Sequence, residues 1–491
     1  MKKIAAVFII MASLGNAYAK PVDVNTAKKI GYSFLTRNTR VALANSADDL
    51  QVAYTATSDI NGTTTPCYYA FNTSAANGFI IVSADDNVLP ILGYSDEATF
   101  GVTDMPSQIK GWMDGYTQQI SYIIKNNIPA SSITTAKWND LSASTPLSKL
   151  TKTTNVAPLV TTRWDQTPYY NAMCPGTSGA SQTVTGCVAT AMAQVMKFWN
   201  WPATGVGSHS YNDALYGLQS ADFGATTYSF ASMSFMLTGL STAASKTAIA
   251  TLMYHCGVSV DMNYNTAANN GSGAYVELAQ SPTNDCAETA LPTYFRYKPT
   301  LHGDVRAQYA SEQAWINALE TDLNAGRPVI YTGFGSDGGH CWVADGYATS
   351  TTGTTIHFNW GWSGASNGYF SVDSLAPPAL GTGAGSGNFN SSQAAIFGIE
   401  PDYPAAVSNV FKNNAVAMYP NPANNVVNID LQGAKATAIN IMDIQGRIIK
   451  EITPASSAIV TISTADFIPG IYMVQIHTDT EVITQKLSVV K

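Results

Sequence analysis

Between residues 186 and 199, apolar side chains recur at Val188, Ala191, Met192, Val195, Met196 and Trp199. Spacings of three and four predict a helix with one buried face, and Gly186 and Cys187 stand at its start. Residues 24–36 form a more polar stretch that is also compatible with a helix. In residues 105–124, Ile109, Trp112, Met113, Tyr116 and Ile120 repeat the helical spacing. Compact apolar runs at 67–71 and 78–84, separated by turn formers at 72–77, predict a hairpin. Four more runs, at 327–334, 340–347, 355–360 and 368–372, predict strands, the second entered from a glycine-rich turn. From residue 411 onward the pattern shortens to alternating segments at 426–431, 438–444, 459–462, 471–476 and 483–490. Turns at 443–446 and at Pro469-Gly470 separate some of these, which predicts a small β-sandwich.

A chain of 491 residues is too long for one ordinary core. Residues 20–155 read as a small α+β unit with nothing catalytic in it. Residues 142–158, rich in Ser, Thr and Lys, read as an exposed linker open to proteolysis. In residues 159–401 helices precede antiparallel strands, which predicts an α+β fold with a helical lobe and a β lobe. Met1-Lys2-Lys3, the apolar run 4–14 and Ala17-Tyr18-Ala19 make a secretory signal peptide over residues 1–19. No later apolar run is long enough for a transmembrane segment, and no cysteine follows the cleavage site as a lipid anchor requires, so a soluble exported product is expected. With a net charge of −8 and no basic stripe, nucleic acid is not an expected partner. The six cysteines (67, 174, 187, 256, 286 and 341) are too few and scattered for a disulfide framework. One or two bridges remain open in an oxidising compartment, and most are expected as buried thiols. The glycine-rich residues 381–390 have no strand before them or helix after them, which excludes a phosphate loop; a mobile flap or a plain flexible loop remains.

Cys187 begins its helix where free backbone N–H groups and the helix dipole favour a thiolate, so it is either a nucleophile or a small buried core residue. A nucleophilic thiol needs a base. Of six histidines, His477 belongs to the tail, His209 and His302 to polar stretches, and His357 to a strand interior; His255, in an apolar run, reads as a core residue. His340 follows Gly338-Gly339, where small neighbours leave its ring accessible. Asn359 could hold the imidazole tautomer through its side-chain oxygen, and an indole at Trp360 or Trp362 could cover the pair from water. Gln166 could donate its amide to an oxyanion beside the Cys187 N–H. Each of these residues alone has an ordinary packing or solvated explanation. Their order (amide donor, helix-start cysteine, then histidine and asparagine on successive strands) is that of papain-like proteases.

Trp164-Asp165-Gln166-Thr167-Pro168-Tyr169, the stretch 185–197 around Cys187, Gly338-Gly339-His340 and Asn359-Trp360-Gly361-Trp362 together resemble streptopain and interpain-type cysteine endopeptidases. These are secreted papain-like enzymes made as zymogens. The resemblance implies Cys187 as nucleophile, His340 as general acid/base, Gln166 in the oxyanion hole, and Asn359 and Trp360 in orienting the histidine. It also implies Ser272 and Gly339 as substrate-binding residues, residues 381–390 as the active-site loop, and an apolar preference one position before the cleaved residue. Neither a cofactor nor a metal is called for. Residues 20–155 then resemble an inhibitory propeptide, and the tail, opened by Tyr419-Pro420-Asn421-Pro422, resembles a type IX secretion sorting domain. The implied division is propeptide 20–155, papain-like domain 156–402, linker 403–410 and sorting β-sandwich 411–491. Implied partners are protein or peptide substrates, the chain's own propeptide and the type IX secretion machinery, with a secreted or cell-surface product. Two departures from protease chemistry stay open, a non-catalytic binding protein on the same scaffold and a Cys-His acyltransferase. Two expectations concern the thiols. The Cys187 pKa should lie well below that of a free cysteine, and Cys341, by strand alternation after His340, should face away, buried and silent.

Overall fold

The structure is a computed structural model that describes residues 20–39, 44–74, 77–101, 105, 107–143, 155–177, 179, 181–335, 338–350, 353–372, 393–403, 416–431, 436–443, 447–454, 459–478 and 482–490. The signal-peptide stretch, the glycine-rich residues 381–390 and most of the 142–158 and 403–410 linkers lie outside these. The chain divides into two compact units, Met1–Asp402 and Tyr403–Lys491.

The first unit opens with α1 (Val24–Asn38), whose first free N–H groups are capped by the Asp23 carboxylate. The hairpin expected between 67 and 84 is present as β2 (Thr63–Asn72) and β3 (Phe79–Ser83). It is flanked by β1 (Gln51–Ile60) and β4 (Ile91–Ser95), which the pattern did not mark. Next come α2 (Ser107–Lys125), as expected, and α3 (Ser132–Ser142), unmarked because its apolar spacing is weak. β5 (Asn155–Val156), α4 (Cys187–Trp199), β6 (Ser208–Asp213), β7 (Gly217–Asp222), α5 (Ala243–Val258), α6 (Ala287–Phe295), β8 (His302–Val305) and α7 (Glu312–Asn324) follow. The four expected strands are β9 (Val329–Gly335), β10 (Gly338–Ser350), β11 (Gly353–Asn359) and β12 (Gly368–Phe370), and β13 (Ala394–Phe397) ends the unit.

The two expected parts of this unit share one antiparallel sheet, in the order β1-β2-β3-β4-β12-β11-β10-β9-β13-β8. At the junction Tyr369 pairs with Tyr94 and Phe370 with Gly93. Close approach here depends on glycine: a Cβ at Gly93 would lie 2.9 Å from the Phe370 ring, and one at Gly368 would lie 2.6 Å from the Tyr94 carbonyl. β5 pairs with β10, so the chain has already joined the sheet at residues 155–156.

Alternation along β9 and β10 sorts two cores. Ile330, Cys341 and Val343 pack with α4, α5 and α6, while Tyr331, Trp342, Phe358 and Trp360 pack beneath α2 and α7. Helix α2 therefore covers one face of the strands that carry His340 and Asn359. Its Trp112 makes edge contacts to Tyr331, Trp342 and Phe358, with centroids 5.2–6.3 Å away. Tyr116 Oη lies 2.8 Å from the Leu92 carbonyl and 2.7 Å from that of Ser371, across the junction.

Charge is buried at the same junction. His357 is 2 % exposed, with Nδ1 2.6 Å from Asp345 and Nε2 3.1 Å from Glu97, which also receives Arg163 at 3.3 Å. Burial alone lowers an imidazole pKa, but the charge and hydrogen bond of Asp345, then of Glu97, raise it to about 9. Burial likewise acts against the Glu97 carboxylate, yet His357 and Arg163 hold it below the ordinary value.

The second unit has a three-stranded sheet of β14 (Ala417–Tyr419), β15 (Val426–Asp430) and β18 (Ile459–Ser463). A four-stranded sheet combines β17 (Ile448–Ile452), β16 (Ala436–Met442), β19 (Gly470–Thr478) and β20 (Val482–Val489). Val427, Ile429, Ile439, Ile441, Val474 and Leu487 fill the core between them, the sandwich expected from the alternation. No helix among the described residues is long and apolar enough to cross a membrane.

Two outcomes follow from the junction. Trp112→Ala is expected to loosen α2 by about 3–5 kcal/mol, seen as a lower Tm of the full chain and faster proteolysis of residues 20–143; an unchanged Tm would remove Trp112 as an anchor. Glu97→Gln is expected to cost about 1–3 kcal/mol at pH 7. The Glu97 contribution is present above the ordinary glutamate pKa and lost as pH falls through its lowered folded value. The His357 contribution is present below the ordinary imidazole pKa and lost as pH rises through about 9. The Tm gap between parent and Glu97→Gln should therefore close at both ends; a gap constant from pH 3 to 10 would contradict the ion pair.

Candidate active site

Gly186 ends the loop before α4 with φ +85°, and a Cβ there would lie 2.7 Å from the Met262 sulfur and 3.1 Å from the Ser272 carbonyl. Glycine at this position brings the loops of Met262 and Ser272 against the start of the helix. Cys187, at the first helical position, is 9 % exposed. Burial raises its thiol above the ordinary range, against the opposing pull of the N–H groups of Cys341, Val188 and Cys187 itself. The expectation of a depressed thiol pKa is thus reversed here: desolvation outweighs the helix-start amides.

Cys187, Gly339, His340 and Cys341 line a common cavity of about 200 Å³ with Val188 and Glu277. Cys341 is 2 % exposed, buried as expected. Alternation does separate residues 340 and 341, and α4 lies on the Cys341 side of β10, so this second thiol borders Cys187. All six cysteines are buried free thiols.

Asn359 and Gln166 are braced by residues that the sequence did not single out. Gln194, two turns after Cys187 and fully buried, accepts from Thr162 Oγ1 at 2.9 Å and from the Trp164 N–H at 3.3 Å. Its Nε2 donates to Asn359 Oδ1 at 3.3 Å, which also accepts the Gly361 N–H at 3.1 Å, while Asn359 Nδ2 donates to the Thr162 carbonyl at 2.7 Å. The Asn359 oxygen expected on the imidazole is therefore engaged by Gln194 and Gly361. A glutamine within an otherwise apolar helical face was the available signal for this network. Gln166, 7 % exposed, accepts the Thr185 N–H through its carbonyl, which fixes its loop to the one before Cys187. Asp165 bridges the Gln166 N–H and Ser363 Oγ, each at 2.6 Å.

Trp360 is fully buried, donates to the Ser366 carbonyl at 3.0 Å and packs 4.9 Å from Trp342. Ser272 directs its hydroxyl inward, 2.7 Å from the Val184 carbonyl, and accepts the Asn265 N–H at 2.9 Å. Among the other histidines, His255 is the core residue expected, bonded to Tyr228 and pushed by burial to about 4. His209, Asp261 and Asp285 bring ligand atoms within 4.8 Å of one another. The His209 nitrogen already bonds Asp261 at 2.6 Å, and no step of thiol chemistry runs through the group.

This arrangement suits acyl transfer through sulfur, and known proteins match the chain in the same terms. Residues 164–370 match the Peptidase C10 family, residues 19–120 the Spi protease inhibitor family, and residues 417–490 the secretion system C-terminal sorting domain. Streptopain of Streptococcus pyogenes is 30 % identical over 393 residues, 76 % of this chain and 91 % of that protein. The thiol protease/hemagglutinin PrtT of Porphyromonas gingivalis is 33 % identical over 348 residues; the match takes in 68 % of this chain but only 37 % of that longer relative. A solved fragment of Prevotella intermedia prointerpain A superposes with a TM-score of 0.55 at 34 % identity, covering 72 % of this chain and all of the fragment. On this agreement of sequence, architecture and cavity chemistry, the chain belongs to the Peptidase C10 family and is a cysteine endopeptidase made as a zymogen, with a propeptide before its catalytic domain and a secretion sorting tail after it.

Proposed function

We propose that Cys187 is the nucleophile and His340 the general acid/base of an endopeptidase that hydrolyses proteins, and that the form described above is its latent state. The observation that carries this reading is the cavity that Cys187, at the start of α4, shares with His340 on β10. Helix α2 covers the far face of β9–β11, and burial on the α4 side raises the Cys187 thiol above its ordinary range. Removing the propeptide takes Trp112 from the far face and Glu97 from His357 on the opposite one. His340 then closes on Cys187, and Asn359 Oδ1 exchanges its long bond to Gln194 for the imidazole N–H, with Trp360 shielding the pair.

The pair ionises to thiolate and imidazolium. The thiolate attacks the peptide carbonyl, and the oxyanion is held by the Gln166 side-chain amide and the Cys187 N–H. His340 gives its proton to the leaving amine. A water, deprotonated by His340, then cleaves the thioester and restores the thiol. Ser272 and Gly339 line the approach of the substrate chain, Ser272 by fixing its loop.

We divide the chain as signal peptide 1–19, propeptide 20–155, catalytic domain 156–402, linker 403–410 and sorting domain 411–491. Because β5 pairs with β10, we place the maturation cut at the end of the propeptide, close to residue 155. The sorting tail directs export through the type IX machinery to the cell surface or beyond.

Expressed without residues 1–19, the parent should lose the segment before the cut and gain casein-cleaving activity, while Cys187→Ala stays intact, as followed by mass over time. A parent that takes no thiol-directed inhibitor at Cys187 would overturn the reading. Gln166→Ala should keep stoichiometric labelling of Cys187 yet lose about a hundred- to a thousand-fold in kcat; equal turnover would remove Gln166 from the oxyanion hole.

A further inference from the structure

Outside the Cys187 cavity, three separate stretches of the chain bring metal-binding side chains to one place. His209 stands on β6, Asp261 in the turn that follows α5, and Asp285 just before Cys286 opens α6. One ligand atom from each lies within 4.8 Å of the others, and His209 Nε2 is 2.6 Å from Asp261 Oδ1. The imidazole packs against Tyr211, stacked at 6.3 Å, and Tyr294 at 5.6 Å, so aromatic neighbours fix the ring while its Nε2 edge meets Asp261.

Charge around this group does not balance. Two carboxylates meet one imidazole, and among the described residues no lysine or arginine pairs with either of them. Nearby acids are satisfied by the backbone: Asp213 accepts the N–H groups of Leu215, Tyr216 and Tyr264, and Asp222 accepts that of Ala225. Asp261 has only the imidazole as a side-chain partner, and no described group donates to the Asp285 side chain. Tyr294 registers both acids, whose charges add to burial in pushing its hydroxyl above the ordinary range. Carboxylates this close repel each other, and a divalent cation between them turns that repulsion into attraction.

The donor set selects the ion. One imidazole nitrogen with two carboxylate oxygens suits zinc, with water in the fourth place, whereas calcium and magnesium prefer oxygen alone. We infer that His209, Asp261 and Asp285 form a structural zinc site. The ion takes the place of the proton shared by His209 and Asp261 and draws Asp285 against both. It also ties together supports of the cavity wall. Met262, next to Asp261, packs against Gly186 and accepts the Tyr211 hydroxyl at 2.5 Å through its carbonyl. The residues after Asp285 hold Tyr275 and Val276 through the N–H groups of Ala287 and Glu288. The site touches none of the reacting groups, and its existence does not depend on the peptidase reading.

The test uses the chain from residue 20 onward with Cys187→Ala, which keeps the nucleophile from binding metal. Zinc chloride and calcium chloride are titrated separately by calorimetry, and the Tm is measured with and without each. One zinc ion should bind per chain with a Kd of about 10 µM or tighter. At a hundred-fold excess over that Kd the Tm should rise by about 3 °C. His209→Ala and Asp285→Asn on the same background should each weaken zinc binding about a hundred-fold. Asp285→Asn has no described hydrogen bond to lose, so it decides the matter should His209→Ala fail to fold. Weaker zinc binding by the parent, a preference for calcium over zinc, or zinc affinity unchanged in Asp285→Asn overturns the assignment.

Discussion

Antiparallel pairing of residues 93–94 with 369–370 makes the propeptide strands and the catalytic strands one sheet, and the latent enzyme depends on it. Main-chain hydrogen bonds of this kind supply affinity with little regard to sequence, while side chains above and below the sheet supply the choice of partner. Here those side chains are Trp112 and Tyr116 of α2 on one face and the Glu97–His357–Asp345 chain of charges. Each joins groups far apart in sequence, and each is dry enough for its geometry to matter.

The same burial governs the chemistry. A thiol at a helix start, with three N–H groups near its sulfur, would ionise readily in water, yet burial in the core beside α4 outweighs those dipoles. His357 is the opposite case: two carboxylates overcome its desolvation and keep it cationic. Desolvation acts against charge at both sites; two carboxylates outweigh it at His357, while at Cys187 it outweighs the amide dipoles. Glu277 is a third case, a buried carboxyl with a hydroxyl but no cation.

Positioning residues form a shell around this centre. Gln194 ties the cysteine helix to Thr162, Trp164 and Asn359, and Asp165 ties the Gln166 loop to the turn at Ser363. Because the Gln194 bonds join groups almost wholly withdrawn from water, loss of one partner would leave the other unsatisfied, which makes those segments rigid.

Much of this was legible in the residues. Helical periodicity marked α1, α2 and α4, short apolar runs marked β2, β3 and β9 to β12, and alternation marked the terminal sandwich, because each rests on local spacing. The motifs around Gln166, Cys187, His340 and Asn359, to which the chemistry is assigned here by proposal, were legible for the same reason. β1, β4 and α3 escaped, as did β6 to β8, β13 and α5 to α7 of the catalytic part; for β1 and β4 the pairing comes from neighbouring strands rather than from their own pattern. His357 read as a strand interior, since Glu97 lies 260 residues away. Cys341 read as silent because alternation gives the face a side chain takes but not which element packs against that face. Sequence by itself determined many of the local elements, the order of propeptide, catalytic domain and sorting tail, and the candidate reacting groups, all set by short-range spacing and side-chain chemistry. Tertiary structure alone decided the shared sheet, the upward shift of the buried thiol and the charge at the junction, because burial and pairing depend on groups that meet only when the chain is folded.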